Sequence, residues 1–223
     1  IDLDRGTQAP FHLIRHAGLE GLVCMGPDRD NGESTYALFN EWIGEREELP
    51  QDTGLARLAL RYLQGYGPAS IKDFTAWSGL PAKEARRAMD LAGEAEELIE
   101  VDAGGQDMWL PEEKRKALDG LDGEGVVKLL PAFDSYLLGY KDRELIVPGS
   151  YRKEVYRGGQ TAPVVLVDGA AAGVWRHEPH GRRLVINVLP FGALGDEVLG
   201  SVSEEAEDVA RFLGFSALDL TGA

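Results

Sequence analysis

The fold of this chain is decided by residues 55–111, which run LARLALRYLQGYGPASIKDFTAWSGLPAKEARRAMDLAGEAEELIEVDAGGQDMWLP. The opening residues place apolar side chains three and four apart, which predicts one buried face of an amphipathic helix. Gly67 and Pro68 end that helix, because neither residue type favours its continuation. Ser70 is then the expected N-cap of a second, short helix, and Asp73 is its acidic capping-box partner.

A third helix is expected to begin at Pro81, whose missing N–H is not needed in a first turn. Its spacing turns one apolar face inward, formed by Ala85, Ala88, Met89 and Ala92. The charged side chains Lys83, Glu84, Arg86, Arg87 and Asp90 face outward. Two strand-like runs, 98–101 and 108–110, then flank a Gly-rich tip and predict a hairpin. Helix, helix, tight turn, helix and hairpin make a winged helix-turn-helix, which we assign to residues 51–113.

The charge of the chain limits what this unit can bind. The formal net charge is -15, and an acidic surface repels phosphates. Residues 55–92 nevertheless carry six bases against three acids. We therefore expect Lys83, Arg86 and Arg87 to approach double-stranded DNA. The alternatives are that these charges only solvate a helix face, or that the unit binds protein, as many winged helices do.

Residues 1–50 repeat the second half of that unit. A helix over 10–17, with Phe11, Ile14 and Ala17 facing inward, precedes two strands around a polar tip. This order predicts the recognition helix and wing of a truncated winged helix, followed by an acidic linker. Its first two helices are expected upstream of this chain.

The helix of this N-terminal segment carries further candidates for DNA contact, Arg15 and His16. His12 and His16 share one helix face, which could hold a metal ion if a third ligand came from elsewhere. No acidic or cysteine partner lies nearby in sequence, so we predict no metal.

Residues 114–223 predict a β-rich domain. Apolar runs over 126–131, 163–167, 170–177 and 183–189 are joined by turns and indicate a small antiparallel sheet or a barrel-like domain. A C-terminal helix over 203–213 closes the chain, with Ala206, Val209, Ala210 and Leu213 inside. The fold class is therefore α+β. Between residues 141 and 183 the chain carries eight bases against five acids, and Arg176, Arg182 and Arg183 are the expected phosphate contacts there.

Composition narrows the function further. Cys24 is the only cysteine, which excludes an internal disulfide and fits a reducing cytoplasm; we expect it to be buried in a strand. No apolar run in this sequence is long enough to span a membrane, and we expect no signal peptide. No glycine loop of the phosphate-cradling kind occurs, so no nucleotide cofactor is expected. The acidic surfaces could serve a protein partner.

With these residues in view, the chain resembles the winged-helix DNA-binding family that includes bacterial DNA glycosylases acting on bulky alkyl adducts and interstrand crosslinks. The most distinctive block runs from Leu129 to Asp134 (LLPAFD) and from Leu138 to Arg143 (LGYKDR). Further support comes from 66–69, 77–80, 165–175 and 190–192. The resemblance implies tandem winged helices followed by a barrel-like domain, with DNA repair as the function.

The resemblance does not extend to a catalytic residue. Glycosylases of this family use a Gln-x-Gln or Gln-x-Asp motif in their N-terminal part, and none of the glutamines here stands in either motif. We expect the motif upstream of Ile1, so this chain is expected to be a DNA-binding portion of such a protein. Asp134 and Asp142 are alternative carboxylates for catalysis, although a structural helix with locally paired charges is favoured for that segment. A non-catalytic scaffold or transcriptional regulator is the alternative function.

Overall fold

The computed structural model describes residues 7–44, 47–102, 105–119 and 125–222. These residues belong to two compact units, 1–50 and 51–223, each of which is described by itself. The further division of the second unit after residue 113 stays a prediction.

The N-terminal unit consists of a helix and a hairpin. Helix α1 (Ala9–Leu19) is followed by the antiparallel strands β1 (Val23–Met25) and β2 (Tyr36–Leu38), and then by the short helix α2 (Phe39–Trp42). Cys24 lies in β1 as expected but is only half-buried.

The inward face predicted for α1 is wrong for two of its three residues. Phe11 is 58% exposed and Ile14 is 36% exposed, while Ala17 is half-buried. The physical reason is size: one helix and a three-residue hairpin cannot enclose a large side chain. The assignment of this unit to a truncated winged helix stays a prediction.

The second unit begins with three helices and a hairpin, in the predicted order. They are α3 (Gln51–Tyr66), α4 (Ile71–Ser78), α5 (Ala82–Ala95), β3 (Leu98–Asp102) and β4 (Asp107–Pro111). Ser70 caps α4 through the predicted capping box, and Gly79 ends it in the left-handed conformation, at φ 70°. Helix α5 continues past Gly93 to Ala95. The predicted hairpin tip lies partly outside the described residues.

The core of these helices follows the predicted faces. Tyr62, Leu63 and Phe74 are almost completely buried, and they pack against the alanines of α5. Because Ala85, Ala88 and Ala92 are small, α5 approaches α3 closely, and the charged side of α5 stays at the surface. Lys83, Arg86, Arg87 and Asp90 are exposed, whereas Glu84 is half-buried.

The remaining elements build a sheet with a helix on it. Single 3-10 turns occur at Glu112–Lys114 and Gly149–Tyr151. The other elements are α6 (Arg115–Asp119), β5 (Val127–Leu130), α7 (Ser135–Leu138), α8 (Arg152–Val155), β6 (Tyr156–Arg157), β7 (Gln160–Thr161), β8 (Val164–Val167), β9 (Ala170–His180), β10 (Arg183–Pro190), α9 (Asp196–Phe212) and β11 (Ala217–Thr221).

The main sheet has the strand order β11-β10-β9-β8-β5. Strands β5, β8, β9 and β10 pair antiparallel, as expected, but β11 adds in parallel to β10 and was not expected. The connection through α9 makes this parallel pairing possible. Among the described strands β5 and β11 are the two edges, so the sheet is open and mixed rather than barrel-like.

Helix α9 covers this sheet with a narrow apolar face. Val202, Ala206 and Ala210 are buried against the strands, and Val209 is half-buried. Leu213, expected inside, is 42% exposed because the helix ends at Phe212. Among the described residues, no helix combines the length and apolar character needed to cross a membrane.

Candidate nucleic-acid interface

The three basic side chains predicted to contact DNA from α5 differ in their partners and surroundings. Lys83, Arg86 and Arg87 are all exposed. The Arg87 guanidinium, however, lies 2.6 Å from the Asp52 carboxylate at the start of α3, so its charge is paired. Arg86 points elsewhere: it lines a cleft shared by α4, α5, the hairpin and the segment after α7.

This cleft has a volume of about 760 Å³. Four basic residues line it: Lys72, Arg86, Lys141 and Arg152. We call it the basic cleft. Its acidic lining residues are Asp73, Asp107 and Asp142.

Asp73 builds the inner wall of the basic cleft. Its side chain is buried, and one carboxylate oxygen accepts hydrogen bonds from the backbone amide and the hydroxyl of Ser70. The other oxygen accepts from the backbone amide of Lys141 at 2.8 Å and from that of Asp142 at 3.4 Å. The Asp73 charge is therefore satisfied within the protein, and it fixes the backbone from which the Lys141 side chain projects.

Two tyrosines hold the same segment against α3. Tyr140 donates its hydroxyl to the carbonyl of Tyr66 at 2.7 Å, and Tyr62 donates to the carbonyl of Gly139 at 2.9 Å. Burial is the main reason that the pKa of Tyr140 is raised to about 12, with further contributions from Tyr136, Asp73 and Tyr66. Burial likewise raises the pKa of Tyr62, so both hydroxyls are protonated donors at neutral pH. Two hydrogen bonds thus hold the LGYKDR block against helix α3.

Three of the four basic side chains in the cleft are available to a ligand. Within the described residues, Lys72, Arg86 and Lys141 form no ion pair. Arg152 is shared between Asp142 at 3.6 Å and Glu144 at 3.3 Å. Lysine and arginine side chains without a protein partner can form charge-assisted hydrogen bonds with a phosphate group.

The two carboxylates considered for catalysis have structural roles in this geometry. Asp134 caps α7 by accepting from the backbone amide of Tyr136 at 2.8 Å. Asp142 accepts from the backbone amide of Glu144 at 3.0 Å and from the side chain of Gln106 at 3.4 Å. The hydrogen bond from Glu144 is the main reason that the pKa of Asp142 is lowered. A carboxylate held ionised in this way is a poor general acid.

A second groove, of about 1100 Å³, contains one more predicted residue. Arg176 of β9 lines it together with Lys153 and Arg157. Arg182 and Arg183 are exposed at the far end of the β9–β10 hairpin, and Arg183 pairs with Asp219 of β11. The structure therefore separates Arg176 from the other two arginines along the hairpin. We call the groove that Lys153, Arg157 and Arg176 line the second groove.

Arg15 and His16 lie on α1, in the N-terminal unit, and both are exposed. Arg15 borders an apolar hollow of about 400 Å³, formed by residues that include Phe11, Ile14 and Tyr36. In the described parts of the chain, no three His, Cys, Asp or Glu side chains are grouped to hold a metal ion.

Residue-by-residue reading of the sequence missed part of both surfaces. Arg152, Lys153 and Arg157 were not singled out, although they fall in the window from 141 to 183 with its positive excess. The window charge was the signal that could have found them. Lys72 and Lys141 fall within the two windows of positive excess, but nothing in the sequence places them in one cleft with Arg86.

The comparisons with known proteins define the class first. A curated relative, an interstrand DNA cross-link repair glycosylase from Streptomyces sahachiroi, is 32% identical over 211 residues, which is 92% of this chain and 56% of the relative. The solved structure of the DNA glycosylase AlkZ from the same organism has a TM-score of 0.75 and 29% identity, covering 91% of this chain and 55% of that one. The chain is thus related to DNA-repair glycosylases, and its mixed α+β architecture is similar to that of AlkZ.

The family is defined by a second match, because the AlkZ-like DNA glycosylase family matches residues 4–212. The chain belongs to this family. It spans about half the length of the relatives that it matches. The expected relation to crosslink-repair glycosylases is confirmed at this level.

Proposed function

We propose that this chain is a DNA-binding portion of an AlkZ-like DNA glycosylase and that it grips the phosphate backbone of duplex DNA in the basic cleft. The observation that carries the proposal is the convergence of Lys72, Arg86 and Lys141 from three separate parts of the chain. They meet around one cleft within a protein of net charge -15. Among the described residues these three cations have no ion-pair partner, and such side chains are suited to contact the phosphates of a polyanion.

The proposed winged-helix arrangement also favours the basic cleft as the DNA-binding surface. Helices α3, α4 and α5 precede the β3–β4 hairpin, and a backbone bridge between Ala69 and Trp109 ties the α3–α4 connection to that hairpin. In this arrangement α5 is the recognition helix and the hairpin is the wing. Arg86 on α5 and the hairpin both border the basic cleft. Lys83, Arg176, Arg182 and Arg183 are further candidates for backbone contact, as are Arg15 and His16 in the N-terminal unit.

Base excision is proposed for the whole protein and not for a residue of this chain. The relatives that match are named for glycosylase activity and crosslink repair. The glutamine motif that the resemblance implies does not occur here, and Asp134 and Asp142 act as structural acceptors. A bacterial cytoplasmic setting, where the DNA lies, follows from the same proposal.

The test measures binding of the chain to a labelled DNA duplex by fluorescence anisotropy, across a series of salt concentrations. Each phosphate contact contributes roughly 0.9 to the slope of log affinity against log salt. Arg86→Ala combined with Lys141→Ala should lower that slope by about 2. The matched control is Arg211→Ala on α9, which removes an exposed arginine away from the cleft. Salt-insensitive binding, or no binding at low salt, would overturn the proposal.

A protein-binding role is the second candidate, because apolar side chains are exposed on the N-terminal unit. Leu19 is 79% exposed, Leu22 is 62% exposed and Ile43 is 60% exposed. Contiguous apolar surface is typical of protein interaction sites. Salt-insensitive binding of the chain to another protein, together with no affinity for duplex DNA, would favour this role.

A further inference from the structure

Phe133 combines three features that are unusual in one residue. It lies between β5 and α7, its backbone has a φ of 60°, and its side chain is 50% exposed. A bulky side chain rarely adopts the left-handed conformation, because Cβ comes close to the carbonyl oxygen. Asp168 is the other non-glycine residue with positive φ in the described chain, but it lies in the β8–β9 turn, where aspartate is readily tolerated.

The conformation of Phe133 is held by hydrogen bonds on both sides. Its backbone amide donates to the hydroxyl of Thr161 at 2.7 Å. Before it, the Trp175 indole donates to the carbonyl of Leu130 at 2.8 Å, and after it Asp134 caps α7. The backbone is therefore fixed while the ring remains half in solvent. Retained strain at an exposed apolar side chain indicates a role outside the fold.

Thr161 connects this strained loop to the second groove. It is 6% exposed and lines the groove, as do Lys153, Arg157 and Arg176. The backbone of a half-exposed phenylalanine is thus hydrogen-bonded to the wall of a groove that three basic side chains also line. An aromatic face together with a positively charged groove is the combination that binds unstacked nucleic-acid bases.

We propose that Phe133 packs against a base face exposed at a distorted step of duplex DNA, while Lys153, Arg157 and Arg176 hold the adjacent phosphates. The inference rests on the proposed function and specifies which feature of the DNA this surface reads. Stacking is selective for distorted DNA, because bases in an intact duplex have no free face.

The experiment compares two labelled duplexes, one intact and one with a single unpaired base, both bound by the 223-residue chain. The wild-type chain should prefer the distorted duplex, and Phe133→Ala should lower that preference roughly 5- to 100-fold. Phe133→Trp should keep the preference. The matched control is Phe212→Ala, which removes a phenylalanine that is 88% exposed but lies on α9. A fluorescent base analogue at the unpaired position should be quenched by the wild-type chain and not by Phe133→Ala.

A second pair of variants separates strain from contact. Phe133→Ala and Phe133→Gly both remove the ring, but only glycine accepts the left-handed backbone without strain. Phe133→Gly should therefore have a Tm higher than Phe133→Ala by about 2 to 4 °C, with the same loss of DNA preference. Equal Tm values would contradict the strain.

The outcomes distinguish this inference from the proposed function. If the wild-type chain binds duplex with a steep salt dependence and Phe133→Ala binds both duplexes as the wild type does, the inference is overturned and the proposed function stands. If the wild-type chain shows no salt-dependent duplex binding, both are overturned.

Discussion

The backbone amide of Lys141 donates a hydrogen bond of 2.8 Å to the carboxylate of Asp73, which lies 68 residues earlier in the chain. Asp73 is also the capping-box residue of α4. One buried carboxylate therefore starts a helix with one oxygen and fixes the LGYKDR block with the other. The contact links the capping box of α4, which the sequence predicts, to the tertiary structure of the basic cleft.

Asp73→Asn should destabilise the protein by about 2 to 4 kcal/mol, because hydrogen bonds to a buried charge are strong and the donors that lose it are left unsatisfied. The asparagine side chain would also place its NH2 group, itself a donor, opposite backbone N–H donors. Urea unfolding would measure the loss as a lower midpoint with an unchanged m value. Asp90→Asn is the matched control, since Asp90 is exposed on α5, and it should change stability by less than about 0.5 kcal/mol. Equal effects of the two substitutions would contradict a structural role for Asp73.

Gly139→Ala should destabilise the protein by about 1 to 3 kcal/mol, because a Cβ at this position would overlap the ring of Tyr66. The measurement is the free energy of unfolding, and Gly54→Ala is the control. Gly54 lies in α3 with open space around it, so alanine there should stabilise the helix by about 0.5 to 1 kcal/mol. In a Tyr66→Ala background, most of the penalty at residue 139 should disappear. An additive double mutant would show that the two residues do not touch.

The sequence predicts correctly those features that depend on residues close together in the chain. The capping box of Ser70 and Asp73, the buried alanines of α5 and the β3–β4 hairpin were all predicted from short-range spacing, and the structure contains them. Each of these features depends on residues within a few positions of one another. The buried face predicted for α1 is wrong, because burial depends on what covers a helix as well as on the spacing of its own apolar residues.

The candidate site was less predictable, because it is assembled from distant segments. Arg86 and Arg87 are adjacent in sequence, yet one lines the basic cleft and the other pairs with Asp52, 35 residues away. Strand β11 was missed for the same reason, since its parallel partner β10 lies across helix α9. Charge counted over a window indicated that bases were in excess, but only tertiary structure shows which of them share a surface.

Tyr140→Phe should flatten the alkaline part of the stability profile. The pKa of Tyr140 is raised from 10 to about 12, first by burial, so the neutral hydroxyl is favoured in the folded state. Its contribution is fully present below pH 10 and is lost as the pH rises from 10 to 12. The variant should be less stable at neutral pH by about 1 kcal/mol, because the hydrogen bond to Tyr66 is lost. Urea unfolding at a series of pH values would show a smaller loss across this window than in the wild type. An unchanged slope would contradict the prediction.

Arg86→Ala and Arg87→Ala should differ in their effect on DNA binding, although both remove one charge from the same turn of α5. Arg86 lines the basic cleft and has no ion-pair partner in the described part of the chain, so its loss should reduce the salt slope by about 1. Arg87 is engaged by Asp52 at 2.6 Å, so its loss should have a smaller effect. Anisotropy titrations across a salt series would measure both slopes, and equal reductions would contradict the distinction.

The same ion pair offers a gain of function. Asp52→Asn should release Arg87 and raise duplex affinity by roughly threefold, since one further cation becomes available near the phosphates. Asp208→Asn is the matched control, because it breaks an ion pair of the same length, 2.6 Å, with Arg211 on α9 and changes the net charge equally. Screening limits such effects to within about 10 Å at ordinary salt. A larger gain for Asp52→Asn would locate the DNA beside α5, and equal gains from both substitutions would mean that only the total charge matters.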